Sequence, residues 1–315
     1  MYYNLSHRPT LLVTMFKLKD WIDQDKIRWT QLSENPSAGA ITLLEQNQDK
    51  IAWPQLSCNP SAISLLEHNQ DKINWHCLSR NPSATAIALL EKNHDKINWS
   101  QLSRNPSAIS LLENNQDKID WSQLSLNPSV RAIALLENNQ DKIDWDILSE
   151  NPSARAIALL EKNQDKIHWY RLSGNPSALT LLENNQDKIH WFMLSSNPSA
   201  RAIALLEKNQ DKIHWYRLSG NPSALTLLEN NQDKICWFVL SRNPSALTLF
   251  ENNQTKIRWA QLSLNPSIFE YDYKGMKDAM YNGIKEDLVK NRFHPKNIPK
   301  FRDWGMDGFE DYEDE

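Results

Sequence analysis

Three histidines form the most chemically suggestive pattern in the chain. His168, His190 and His214 each stand immediately before a tryptophan, at intervals of 22 and 24 residues. Imidazole nitrogens are common zinc ligands, so a recurring histidine raises the question of a metal centre. Distance argues against one. Equivalent residues of stacked helical units lie roughly 8–10 Å apart, whereas zinc holds its nitrogens at about 2 Å. The same position carries Asp120, Asp144 and Cys236 in other units, which is how a half-exposed surface position behaves. No metal and no cofactor is expected.

Nucleophilic chemistry is equally poorly supplied. His76 and Cys77 are adjacent, which points them in different directions, and no third group stands by to orient them. Cys58, Cys77 and Cys236 are odd in number and far apart in sequence. They lack the paired spacing of a disulfide framework or zinc scaffold, which fits an intracellular, reducing compartment. The chain has no Gly-rich phosphate loop, no His-Glu-x-x-His and no Gly-x-Ser-x-Gly. Its acidic residues recur beside Lys in a solvated pattern, so the expectation is a protein that is not an enzyme.

The elements that would position these residues come from an internal repeat. Asn-Pro-Ser recurs with its Asn at 35, 59, 81, 105, 127, 151, 175, 197, 221, 243 and 265, in steps of 24 or 22. An Ile-x-Trp keeps the same beat from Trp29 to Trp259. A fixed period of this size marks a stacked array, in which each unit is too small to bury its own apolar face and buries it against its neighbours.

The unit Asn127–Glu150 reads as two helical pieces. Asn127 can accept from an early helical amide, and Pro128 suits the first helical position. Val130, Ile133 and Leu136, flanked by Ala132 and Leu135, form an apolar stripe at helical spacing that Asn138 and Asn139 dilute. Ile143, Trp145 and Leu148 then lie in a second piece, opened by Asp144 as a cap. The next Asn-Pro closes it, because the residue before a proline is pushed out of helical geometry. A short strand at Ile-x-Trp is the competing reading, but Leu148 breaks the alternation. The two extra residues of the longer units precede Leu-Leu-Glu and add about half a helical turn. The expected fold is all-α: an elongated α-solenoid of 22- and 24-residue units, each a helix plus a short second helix or 3-10 turn, with capping helices at both ends.

The expected organisation follows from where the pattern weakens. Residues 1–29 read as a degenerate N-terminal capping repeat with a longer helix in TLLVTMFKLKDWIDQ and Arg8 in place of the first Asn. Residues 30–267 are the repeat array. Residues 268–302 supply a C-terminal capping helix, lying over the last Trp, followed by a turn and a short final helix. Residues 303–315 form an acidic tail with seven carboxylates and no Lys or Arg, a composition typical of solvated segments.

Asn151–Ser196 and Asn197–Arg242 differ at three of 46 positions: His190/Cys236, Met193/Val239 and Ser196/Arg242. Such near identity points to a tandem copy, and so to selection for surface rather than for one catalytic centre. The positions that vary among units are informative. After the repeated Trp come Ser100-Gln101 and Ser122-Gln123 in earlier units, then Tyr170-Arg171, Phe192-Met193, Tyr216-Arg217 and Phe238-Val239. Tyr, Arg and Phe are the residues that protein interfaces favour. A partner-binding strip is therefore expected from His168, Tyr170, Arg171, His190, Phe192, His214, Tyr216, Arg217 and Phe238. The alternative is that these side chains fill a groove between repeats.

Composition narrows the partners. Net charge is −4 over 315 residues, so the basic footprint of a helical-repeat RNA reader is missing and nucleic acid is an unlikely partner. No run approaches the roughly 20 apolar residues that span a bilayer, and the opening segment lacks the pattern of a leader. A protein is the expected partner.

The phrase LSxNPSAIxLLExNxDKIxW resembles the repeat of uncharacterised proteins of large DNA viruses that infect amoebae and algae. The likeness covers nearly all of 30–267, and IFEYDYKGMKDAM followed by FHPKNIPKFRDWGMD resembles their common ending. Arg8, Thr255 and Phe250 depart from the pattern. The resemblance implies a helical repeat fold and a viral origin, in host cytoplasm or virion, and brings no activity. It leaves two expectations, an interaction scaffold or a structural component of the virus particle.

Overall fold

The computed structural model describes residues 15–287. The described chain forms two compact units, one of Leu18–Phe269 and one that combines residues up to Lys17 with residues from Glu270 onward.

Within the larger unit, each repeat folds into helix, 3-10 turn and short helix. In the repeat Asn127–Glu150 these are Val130–Glu137, Gln140–Lys142 and Trp145–Leu148. The first helix begins two residues later than expected: Ser129 is extended and Val130 is the first helical residue, so Pro128 precedes the helix. The helix ends as its apolar stripe runs out. Asn139 leaves helical geometry at φ −135°, and its Nδ2 donates back to the Leu135 carbonyl at 2.9 Å. Asp144 caps the short helix, its Oδ1 accepting from the Ile147 amide at 3.1 Å. The longer repeats have a first helix of 8 or 9 residues, as at Ala154–Glu161 and Ala200–Lys208, against 5 in Leu179–Glu183. Together they make an all-α tandem array with one continuous apolar core. In it the second Leu of each Leu-Leu pair, or Phe250 in its place, and the Leu after each Trp are fully buried.

Two polar ladders tie the repeats together. Each of the eleven repeat asparagines donates from Nδ2 to two carbonyls of the preceding layer, as Asn151 does to Ser125 at 2.8 Å and Asn127 at 3.0 Å. Its Oδ1 accepts from the amide two residues on, as Asn151 does from Ser153. The serine two residues before each Asn donates to the Trp carbonyl and accepts a backbone amide of the next layer. Ser149 does both, toward Trp145 and from His168. These side chains are buried, and the Asn Nδ2 donors and the amides that reach the Ser oxygens are satisfied only because a neighbouring layer is present.

The ladders have no ends. Asn35 donates to the carbonyls of Ser263 and Asn265, both at 3.0 Å. The Arg28 amide donates to Ser263 Oγ, and the Lys19 amide to the Ile268 carbonyl. Lys26 lies over the Trp259 ring at 5.2 Å. The array expected to be elongated is thus a closed ring of eleven layers. Its eleventh layer is shared: Asn265-Pro-Ser-Ile comes from one end of the sequence and the 3-10 turn Gln24–Lys26 with Ile27 from the other. The expected capping of the first and last repeats is therefore corrected, because each covers the other. Gly39 belongs to this seam. A Cβ there would lie 2.4 Å from Phe269 Cγ, whereas Thr85, Arg131, Arg155 and Arg201 occupy the same place elsewhere.

Residues Phe16–Leu18 are a strand, where a helix was expected, and pair with Phe269–Tyr271. Met15 meets Asp272 and Lys19 meets Ile268, so the pairing is antiparallel. In the smaller unit Lys17 pairs with Glu270 and Phe16 stacks on Tyr271, and helix Tyr273–Asp287 follows where an amphipathic helix was expected. Arg8, the short final helix and the acidic tail lie outside the described residues.

Candidate interaction band

Framework residues repeat around the ring, and the variable ones gather into a band. Three of its positions surround each Trp: the residue before it and the two after it. A fourth follows each Leu-Ser. The residue after one Trp meets the residue before the next. His76 Nδ1 is 3.1 Å from Asn98 Nδ2, Ser100 donates to Asp120 at 2.7 Å, and Ser122 donates to Asp144 at 2.8 Å.

From His168 onward the same contact is made by rings. Tyr170 lies 4.5 Å from His190, centroid to centroid, and Phe192 lies 4.5 Å from His214, both edge to face. His168 to Tyr170, His190 to Phe192 and His214 to Tyr216 continue the row at 6.1, 6.2 and 6.3 Å. Tyr170 and Phe192 stack at 6.4 Å. The structure thus brings together His168, Tyr170, His190, Phe192, His214 and Tyr216. Phe238 sits at the corresponding place but outside the row, because Cys236 stands where a histidine would link it to Tyr216. Tyr170, Tyr216 and Phe238 are 39, 48 and 49% exposed; these rings face solvent rather than fill the core. His168 and His214 cap their helices, Nδ1 accepting from the Arg171 and Arg217 amides at 3.3 and 3.4 Å. That bond requires an unprotonated Nδ1. Among the described residues no three His, Cys, Asp or Glu side chains group so as to hold a metal ion.

The two strip arginines differ. Arg171 pairs with Glu150 of the preceding layer. Arg217 lies over the Phe192 ring at 4.5 Å, and its Nε is buried without a hydrogen-bond partner. The position after Leu-Ser, which holds Glu150 in one layer and Ser196 in another, escaped the sequence reading. Its signal there is its variation from repeat to repeat, as from Cys58 to Arg80, Glu150 and Ser196.

Cys58 and Cys77, 19 residues apart in sequence, occupy this same contact between adjacent layers. Burial, followed by a hydrogen bond to Cys58 and the charge of that group, pushes the Cys77 thiol up to about 12. Arg80 Nη2 reaches Cys58 Sγ at 3.6 Å. All three cysteines are free.

Away from the band, ion pairs join successive first helices: Arg131 to Glu113, Arg155 to Glu137 and Arg201 to Glu183. The Arg155 guanidinium holds the Glu137 carboxyl below the usual range and is itself raised. Beside the Trp helices, a Lys lies over the Trp of the preceding layer, as Lys142 does over Trp121 at 4.3 Å. Trp99 departs from this: His94 meets it edge to face at 5.1 Å and Lys118 pairs with Asp117 instead. No described helix is long and apolar enough to cross a membrane.

No protein-family model, no curated protein and no solved structure matches the chain.

Proposed function

We propose that the protein is a non-enzymatic interaction scaffold whose band from His168 to Phe238 binds a protein partner. The observation that carries this reading is the separation of labour among residues. The buried Asn and Ser ladders hold every layer identically, while the aromatic side chains vary, stand partly exposed and adjoin one another across layers. Partly exposed Tyr and Phe beside Arg supply apolar area with a polar edge, the composition of interface hot spots. A ring presents such a row on a rigid support, which lowers the ordering cost of binding. A viral origin belongs to the same proposal and rests on the repeat phrase alone.

Replacing Tyr170, Arg171, Tyr216 and Arg217 together by serine should abolish capture of the partner in a pull-down and leave the melting temperature within a few degrees of the parent. Unaltered capture, or a collapse in stability that moves these residues into the core, contradicts the reading.

A further inference from the structure

The tandem copy contains its own control. Residues 151–196 and 197–242 are nearly identical, so Arg171 and Arg217 have the same local surroundings within their layers. They differ in what the preceding layer offers. Arg171 receives Glu150, and 46 residues on, the equivalent of Glu150 is Ser196. The Ser196 hydroxyl is already engaged, donating to the Met193 carbonyl at 2.8 Å. No carboxylate among the described residues lies within ion-pair distance of Arg217. Its guanidinium carbon lies over the Phe192 ring of the preceding layer, 4.5 Å from the ring centroid. A buried guanidinium nitrogen without a partner is rare, and a planar fork fixed by stacking is prepared to take a carboxylate in two parallel bonds.

We infer that Arg217 is the anion anchor of the band and that the partner segment is an acidic peptide carrying aromatic side chains, with one carboxylate on Arg217 and its rings against Tyr170, Phe192 and Tyr216. The inference rests on the protein-binding reading above and adds the partner's chemistry. The arc that precedes the rings opposes a polyphosphate strand: Asp120, Asp144, Asp146 and Glu150 lie along it, and their charge repels a row of phosphates. Arg171 and Glu150 show how the same place looks when the anion is supplied from within.

The test uses a random copolymer of Glu and Tyr as probe, followed by fluorescence anisotropy against the full chain. The wild type should bind it with an affinity that falls as salt rises. R217Q should weaken binding about tenfold or more, as expected for loss of a charge-assisted bidentate pair. S196E, which places a carboxylate where Glu150 stands in the other copy, should do the same while leaving the melting temperature unchanged. E150S, which frees Arg171, should strengthen binding several-fold. Absence of copolymer binding, or equal binding by wild type, R217Q and S196E, overturns the anchor. Tighter binding of an oligothymidylate that is lost in R217Q also overturns it, by assigning the site to nucleic acid. The broader reading fails separately: it would survive if Tyr170→Ser with Tyr216→Ser abolished partner capture while S196E and R217Q left it intact.

Discussion

The band has two arcs that share one backbone and use it differently. From His76 to Asp144 its cross-layer contacts are hydrogen bonds between short polar side chains. From Tyr170 to His214 the equivalent contacts are made by rings. The Asn and Ser ladders beneath are indistinguishable: Asn105 donates to Ser79 and Asn81 at 3.1 and 2.9 Å, and Asn197 donates to Ser173 and Asn175 at 3.1 and 3.0 Å. The frame therefore does not dictate what the band carries. A surface that can be either polar or aromatic at no cost to its support is free to be selected for recognition.

Damage to the frame should have the largest effect, and the same effect under each arc. Asn105→Ala and Asn197→Ala each remove two buried donors and a turn acceptor, and should cost on the order of 3 kcal/mol, equally in both arcs. Urea denaturation of the two variants measures this. A much smaller loss under the aromatic arc would mean that the rings, and not the ladder, hold that side together.

A smaller effect should follow from the band itself. Ser100→Ala removes one hydrogen bond to Asp120, and Tyr170→Ala removes a half-exposed ring contact. Each should cost about 1 kcal/mol or less. A loss from Tyr170→Ala as large as that from the ladder would transfer the strip to the core.

The smallest effect concerns pH at the contact between Cys58 and Cys77. The folded Cys77 thiol is raised from 9.0 to about 12. An acid whose folded value is raised stabilises the fold below its unfolded value, and that contribution is lost as pH rises from about 9 toward 12. Alkylation of Cys77 by iodoacetamide at pH 9 should accordingly be slower in the folded protein than in urea, with the difference shrinking above pH 11. Equal rates at pH 9 would contradict the contact between the two half-buried thiols.

Much of the repeat was legible because its signals are local. Asp144 and the Asn-Pro steps place the helix starts and stops to within two residues, and the apolar stripe from Val130 to Leu136 sets their face. The strip was legible because its residues vary where the framework does not. Closure was hidden because it joins residues more than two hundred positions apart, Asn35 with Ser263 and Lys26 with Trp259. One trace of it was in plain view. Glycine inside a helix costs about 1 kcal/mol relative to alanine, and Gly39 occupies a place where other long repeats carry Thr or Arg, because Phe269 fills the space. The strand at Phe16–Leu18 read as helix because Leu, Val, Met and Phe in that stretch suit either period, and its partner lies at the far end of the chain. The pairing of Glu150 with Arg171, and its absence at Arg217, needed the register between layers, which spacing alone does not supply.

Closure of the ring sets the distance across the seam. Gln31 and Gln261 hold the same position in the layers of Trp29 and Trp259, as Gln101 and Gln123 do in two consecutive layers. With the three native cysteines replaced by serine, nitroxide labels at Gln31 and Gln261 should show the same strong dipolar broadening as labels at Gln101 and Gln123, one layer or roughly 8–10 Å apart at the backbone. A separation on the order of 80–100 Å, the length of ten stacked layers, would show an open array and contradict the ring.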